Sequence, residues 1–168
     1  ANLLVTPQAD SLPLEIGGVD YRPVNAGSYL PESELGKLKT IFWRNNIVGF
    51  APVLEVPTEV WIKSSQPLLT PFTQAGPAKT TLIGTWAHHS VSIPDGRVYV
   101  TGMEQTNSWW NVEGRWFEYG AQECPVGKSL AKREKVEVGD IVHVQTAAEK
   151  NVALTVTGIL SSGGPRDK

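Results

Sequence analysis

Strict two-residue alternation near the C-terminus constrains this chain more than any other feature. Val136, Val138, Val142 and Val144 share one parity, with Glu137, His143 and Gln145 on the other; Val152, Leu154 and Val156 then alternate with Ala153, Thr155 and Thr157. Successive side chains of a β-strand point to opposite faces, so this spacing predicts two strands with one buried and one exposed face each. From Gly17 onward the chain continues as eight or nine short β-rich runs closed by Gly, Pro, Asn or Asp, and no apolar series keeps helical period. The expected fold is all-β: a single-domain β-sandwich of about eight strands with jelly-roll topology.

The spacing predicts strands at Asp20–Val24, Lys37–Trp43, Ile47–Val53, Thr58–Lys63, Thr80–His88, Arg97–Met103, Arg115–Tyr119, Val136–Thr146 and Asn151–Leu160. Turn chemistry separates them at Arg44-Asn45-Asn46, Glu55-Val56-Pro57, Pro94-Asp95-Gly96 and Glu149-Lys150-Asn151. Two connections are long, Ser64–Lys79 and Gln122–Lys135, as a chain crossing between sheets requires. Helix is expected only as a turn or two near Pro31–Lys37 or Ser129–Lys135. Residues 1–16, with two prolines and no sustained period, read as an N-terminal arm, 17–160 as the sandwich, and 161–168 as a flexible tail.

A chain of 168 residues can bury about 70% of its unfolded surface, so it needs no covalent staple. Its one cysteine, Cys124, excludes an intrachain disulfide and a cysteine-based zinc site. Lys and Arg number 15 against 17 Asp and Glu, a net charge of −2, which provides no global positive field to hold nucleic acid. No apolar run approaches the roughly 20 residues that span a bilayer, so a soluble chain is expected. Six Trp against one Met, with 12 Pro and 16 Gly, describes a rigid aromatic core, loops fixed by proline, and a composition leaning toward thermophiles.

No set of residues carries catalytic, cofactor or metal chemistry in a recognisable frame. His88 and His89 are adjacent, so on a regular strand they point to opposite faces and cannot share an ion; His143 lies far along the chain. Glu104, Glu113, Glu118 and Glu123 are close in sequence, but hydrolysis of a glycoside needs two carboxylates across a cleft, and spacing alone pairs none of them. Ser90 and Ser92 stand outside any nucleophile-elbow frame. No enzyme activity, cofactor or metal is therefore expected.

The densest feature is the aromatic run from Trp109 to Tyr119. Trp109 and Trp110 are candidates for an interface or ligand surface, with Asn107, Glu113 and Arg115 placed to bond hydroxyl groups of a sugar stacked on the indoles. The same residues can instead fill the core or meet another protein. Adjacent tryptophans cannot both point inward from a regular strand, which leaves at least one of them at a surface.

Gly84-Thr85-Trp86, Pro94-Asp95-Gly96, Thr101-Gly102, Trp116-Phe117-Glu118-Tyr119, Val138-Gly139-Asp140-Ile141 and Thr157-Gly158 are similar in order and spacing to the fungal glutamic peptidases, over about half of the chain. That resemblance implies a β-sandwich. It does not carry the activity across: Val100 stands where that family has its catalytic Gln, and the strand bearing its catalytic Glu has no counterpart here.

The chain also resembles single jelly-roll viral coat subunits, in particular the small major capsid proteins of membrane-containing icosahedral Thermus phages. The resemblance lies in its size, strand count, proline-bearing arm Ala1–Ile16 and lack of an active-site motif. It implies a capsid subunit in a virion that self-associates, meets other capsid subunits, contacts an internal membrane and makes no direct contact with nucleic acid. The alternative expectation is a secreted carbohydrate-binding module, with a hydrolase third.

Overall fold

The computed structural model describes residues 3–7, 15–16, 19–20, 29–63, 78–146 and 151–164. The chain forms two compact units, one of residues 1–47 with 92–97 and one of residues 48–91 with 98–168. Strands dominate, as the alternation predicts, and the architecture is all-β with a curled multi-stranded sheet of the sandwich class.

In the first unit, β1 (Glu15–Ile16) and β2 (Val19–Asp20) form a short antiparallel ladder. The remainder of the strand expected at Asp20–Val24 lies outside the described residues. Of the expected arm, residues 3–7 are irregular, and Leu3, Leu4 and Val5 are exposed.

The strand expected at Lys37–Trp43 is absent. Glu32–Lys39 forms a 3-10 helix, followed by a turn and a second 3-10 helix at Arg44–Asn46. Charge order overrides the alternation there: Glu32 and Glu34 occupy the first turn, Lys37 and Lys39 the last, and Lys37 pairs with Glu34 at 2.5 Å. Carboxylates near a helix N-terminus and cations near its C-terminus both favour helix. Ser92–Arg97 adds a tight turn in which Arg97 grips the Asp95 carboxylate through two side-chain hydrogen bonds.

The second unit carries the main sheet. It contains β3 (Leu54–Lys63), β4 (Ala78–Gly84), the hairpin of β5 (His89–Ser92) and β6 (Val98–Thr101), and a single helical turn α1 (Met103–Thr106). There follow β7 (Asn111–Gly114), β8 (Glu123–Gly127), α2 (Lys128–Glu134), β9 (Ile141–Thr146) and β10 (Asn151–Ser161). The main sheet runs β4-β3-β9-β10-β7, with β8 also on β10.

Thr155 of β10 faces Ile141 on one edge and Glu123 on the other. One edge of β10 therefore serves β9 and then β7, both antiparallel, while β8 lies parallel along the other. The other pairs of the main sheet are antiparallel. The chain between the two parallel strands, β8 and β10, runs through α2 and then β9.

The core is valine-rich, as the alternation implies. Val60, Val126, Val142, Val144 and Val156 come from the inward parity of four strands and pack with Ala131 of α2 and with Val136. The turn before β9 is tied to this core. Asp140 accepts the Glu137 N–H at 2.8 Å, and its own carbonyl accepts the Val156 N–H at 2.8 Å. At a second buried point the Thr101 hydroxyl accepts the Phe50 N–H at 2.7 Å and donates to the Phe50 carbonyl at 2.5 Å. Val48–Val53 is irregular, so the strand expected at Ile47–Val53 does not form.

Two prolines lie where a turn or loop was expected. The Glu55–Pro57 turn is instead part of β3. Pairing with β9 reaches only to Thr58, so the missing N–H of Pro57 leaves no ladder bond unfilled on that side. Pro125 stands in β8, beside the point where the register with β10 slips between Val156 and Gly158. Thr157 is the residue passed over by that slip. Its buried hydroxyl has no hydrogen-bond partner among the described residues.

Candidate functional site

The expected strand Arg115–Tyr119 is a loop, and the ladder ends just before it at Gly114. What holds this loop is a clamp across its two ends. Arg115 donates from both terminal nitrogens to the Glu123 carboxylate, at 2.9 and 2.5 Å, and also to the Trp116 carbonyl at 3.0 Å. The Glu118 N–H adds a third bond to Glu123 at 3.1 Å. A planar guanidinium matches a carboxylate in two parallel bonds, which fixes orientation as well as distance. The clamp lowers the Glu123 carboxyl below its ordinary value, through the Arg115 hydrogen bonds first and the Glu118 N–H second.

The clamped loop presents its aromatic rings to neighbouring elements. Trp116 stacks on Trp110 with ring centroids 6.5 Å apart and planes inclined by 15°. Tyr119 lies 4.6 Å from the His89 ring, and His89 in turn lies 4.6 Å from the buried Trp86. His88 points elsewhere, with its Nδ1 3.9 Å from Glu104, beyond hydrogen-bond length. The two adjacent histidines thus serve different neighbours. Among the described residues no three His, Cys, Asp or Glu side chains gather as a metal site would require.

The five candidate residues fall into different roles. Trp109 is exposed, whereas Trp110 is half-buried against Trp116. Asn107 faces inward to its own turn, donating to the Thr106 hydroxyl at 3.0 Å and the Met103 sulfur at 3.4 Å. Glu113 is exposed on β7, in register with Ile159. Arg115 is committed to Glu123. Of the groups expected to surround a sugar, Arg115 and Asn107 are engaged by other parts of the protein.

Sequence reasoning missed two members of this region, Glu123 and Tyr119, as partners of Arg115 and His89. No local signal marks them, because both contacts depend on how the loop returns. Cys124, beside Glu123, turns toward the valine core, and burial raises its thiol from 9.0 to about 11. It is built for packing rather than for nucleophilic chemistry at neutral pH. No family model, no curated protein and no solved structure matches this chain.

Proposed function

We propose that this chain is a structural subunit that works by associating with copies of itself and with other protein subunits. The viral coat subunit expected from the sequence is the narrower form of this reading. One observation carries it: among the described residues nineteen large hydrophobic side chains stand exposed, against eleven buried hydrophobic residues. Apolar area removed from water stabilises by roughly 25 cal/mol per Å². A chain with this distribution has stabilisation still to gain by association, where those side chains meet an apolar partner surface.

Sedimentation velocity across micromolar to millimolar protein tests the reading. Concentration-dependent growth in mass is expected, since stable contacts bury about 1,200–2,000 Å² and this surface offers the apolar groups for them. Electron microscopy of the associated fraction distinguishes closed shells from small oligomers. A monomer at every concentration overturns the proposal.

A further inference from the structure

Asp95–Gly96 is the single place in the chain where Asp or Asn is followed by Gly. The dipeptide lies in the turn between β5 and β6, with the Asp95 side chain 46% exposed. At Gly96 φ is +86°, where a side chain would be strained, so the turn itself calls for the glycine. The same glycine removes a barrier to chemistry. An aspartyl carboxyl can reach the amide nitrogen of the next residue, a side chain on that residue hinders the approach, and the space where a Cβ would stand at Gly96 is empty to 4 Å.

The reaction open to such a pair joins the Gly96 nitrogen to Asp95 Cγ. The C–N bond forms as the amide proton leaves and a carboxyl C–O bond breaks, and the oxygen departs as water. Solvent water then adds to one of the two carbonyls of the resulting five-membered imide. At Cγ it breaks the new bond and restores Asp95. At the main-chain carbonyl it breaks the old peptide bond and leaves the chain running through Cγ, as isoaspartate. One water leaves and one returns, with no oxidant, reductant or cofactor.

In the folded chain both reacting groups are engaged. Oδ1 of Asp95 accepts the Arg97 N–H at 3.0 Å, and Oδ2 accepts Nε and Nη2 of Arg97 at 2.8 and 2.6 Å. The departing oxygen must take up a proton, and each carboxylate oxygen already accepts from Arg97. The Gly96 N–H donates to the Ile93 carbonyl at 2.9 Å, so the proton that the nucleophile must shed is bonded as well. Ring closure has to break these bonds before the atoms can align, and misalignment is costly in rate. The Arg97 side-chain bonds first, and its N–H second, hold the Asp95 carboxyl below its ordinary value, which depletes the acid form that loses water.

We propose that Asp95–Gly96 is a site of spontaneous isoaspartate formation, and that the Arg97 fork is the guard that slows it in the folded chain. Conversion would lengthen the main chain by one carbon at the turn and shift the free carboxylate to the α-carbon, altering the bonds that Arg97 makes. This goes beyond association between protein subunits and does not rest on it.

Ageing of the dilute full-length chain over weeks, at body temperature and mildly acid pH, tests the proposal. Peptide mapping with electron-driven fragmentation assigns isoaspartate to residue 95, and enzymatic methylation of isoaspartyl carboxyls counts it. The chain in guanidinium is expected to convert at residue 95, and the native chain to convert at least about tenfold more slowly. Native Arg97→Ala is expected to convert at least about fivefold faster than the native parent while its circular dichroism and melting stay close to the parent's. Arg97→Lys keeps the cation but loses the planar fork, and its rate is expected to fall between the two.

An absence of isoaspartate at residue 95 in denaturant would overturn the site. A native parent as fast as the denatured chain would overturn the guard. So would Arg97→Ala as slow as the parent, which would assign the protection to the Ile93–Gly96 bond. Should Arg97→Ala melt early, Arg97→Lys decides: a rate equal to the parent's overturns the proposal, and a faster one at unchanged melting supports it.

Discussion

Gly114 and Gly158 face each other in register across β7 and β10, and neither has room for a methyl group. A Cβ on Gly158 would lie 2.6 Å from Val112 and 2.7 Å from the Arg115 carbonyl. One on Gly114, where φ is +103°, would lie 2.4 Å from the Thr157 carbonyl. This close approach sets where β7 ends and the aromatic loop begins. Gly158→Ala is expected to cost roughly 1–3 kcal/mol in denaturant unfolding, as forced overpacking does. Gly127→Ala, with nothing within 4 Å of its Cβ, is the control and should stay within about 0.5 kcal/mol of the parent.

Thr157 adjoins the same slip in register. Its hydroxyl is buried and unpartnered among the described residues, so it carries a desolvation cost with no compensating bond. Thr157→Val keeps the branched shape and removes that cost. The expected outcome is no loss of stability, or a gain of up to about 1 kcal/mol, in the same unfolding assay. A loss larger than that would show that the hydroxyl has a partner in solution.

The Cys124 thiol gives an alkaline signature. Its native value of about 11 lies above the ordinary 9.0, so the folded chain holds this proton more tightly than the unfolded chain. The associated stabilisation is fully present below about pH 9 and is lost as pH rises through 11, roughly 2–3 kcal/mol in all. The slope of stability against pH over that window should flatten in Cys124→Ala. Alkylation of the native thiol near neutral pH should run about 100-fold slower than in denaturant.

Where the chain's own pattern sets a strand, the sequence is readable. Val142 and Val144, then Val152, Leu154 and Val156, alternate because one face of β9 and β10 meets the core, and no distant partner is needed to see it. β8 escapes notice because it is five residues long, contains Pro125, and gains its place only by pairing with β10 across a parallel crossover. Lys37–Trp43 misleads because Leu38 between two lysines imitates alternation, while the charge order from Glu32 to Lys39 favours helix.

The candidate site falls outside such patterning. Trp109 and Trp110 lie in the turn before β7, and His88 lies just outside β5, so their divergence from their neighbours comes from irregular backbone rather than from strand alternation. The Arg115–Glu123 clamp spans eight residues of loop, and nothing in the spacing announces it.

That clamp predicts an acid transition. Glu123 is held below its ordinary value, so the native state binds this proton less tightly than the unfolded chain. The clamp's contribution is complete above the unfolded value and is lost as pH falls through the lowered native one. Near-ultraviolet circular dichroism, dominated by tryptophan, should therefore change on the acid side. Glu123→Gln should show the altered signal already at neutral pH, with that acid step removed. An unchanged titration in the variant would place the transition elsewhere.

The paired tryptophans separate surface function from packing. Trp110 is stacked on Trp116, so Trp110→Ala removes a ring contact and part of a half-buried side chain. A loss of roughly 1–3 kcal/mol is expected, below that of a fully buried tryptophan. Trp109 is 59% exposed, and Trp109→Ala should leave unfolding within about 0.5 kcal/mol of the parent. Interface energy concentrates in a few aromatic and arginine side chains. If Trp109 is one of them, its alanine variant weakens association in sedimentation while melting as the parent does. Equal association of the parent and Trp109→Ala would remove this residue from the interface and move the contact to the other exposed apolar groups of the chain.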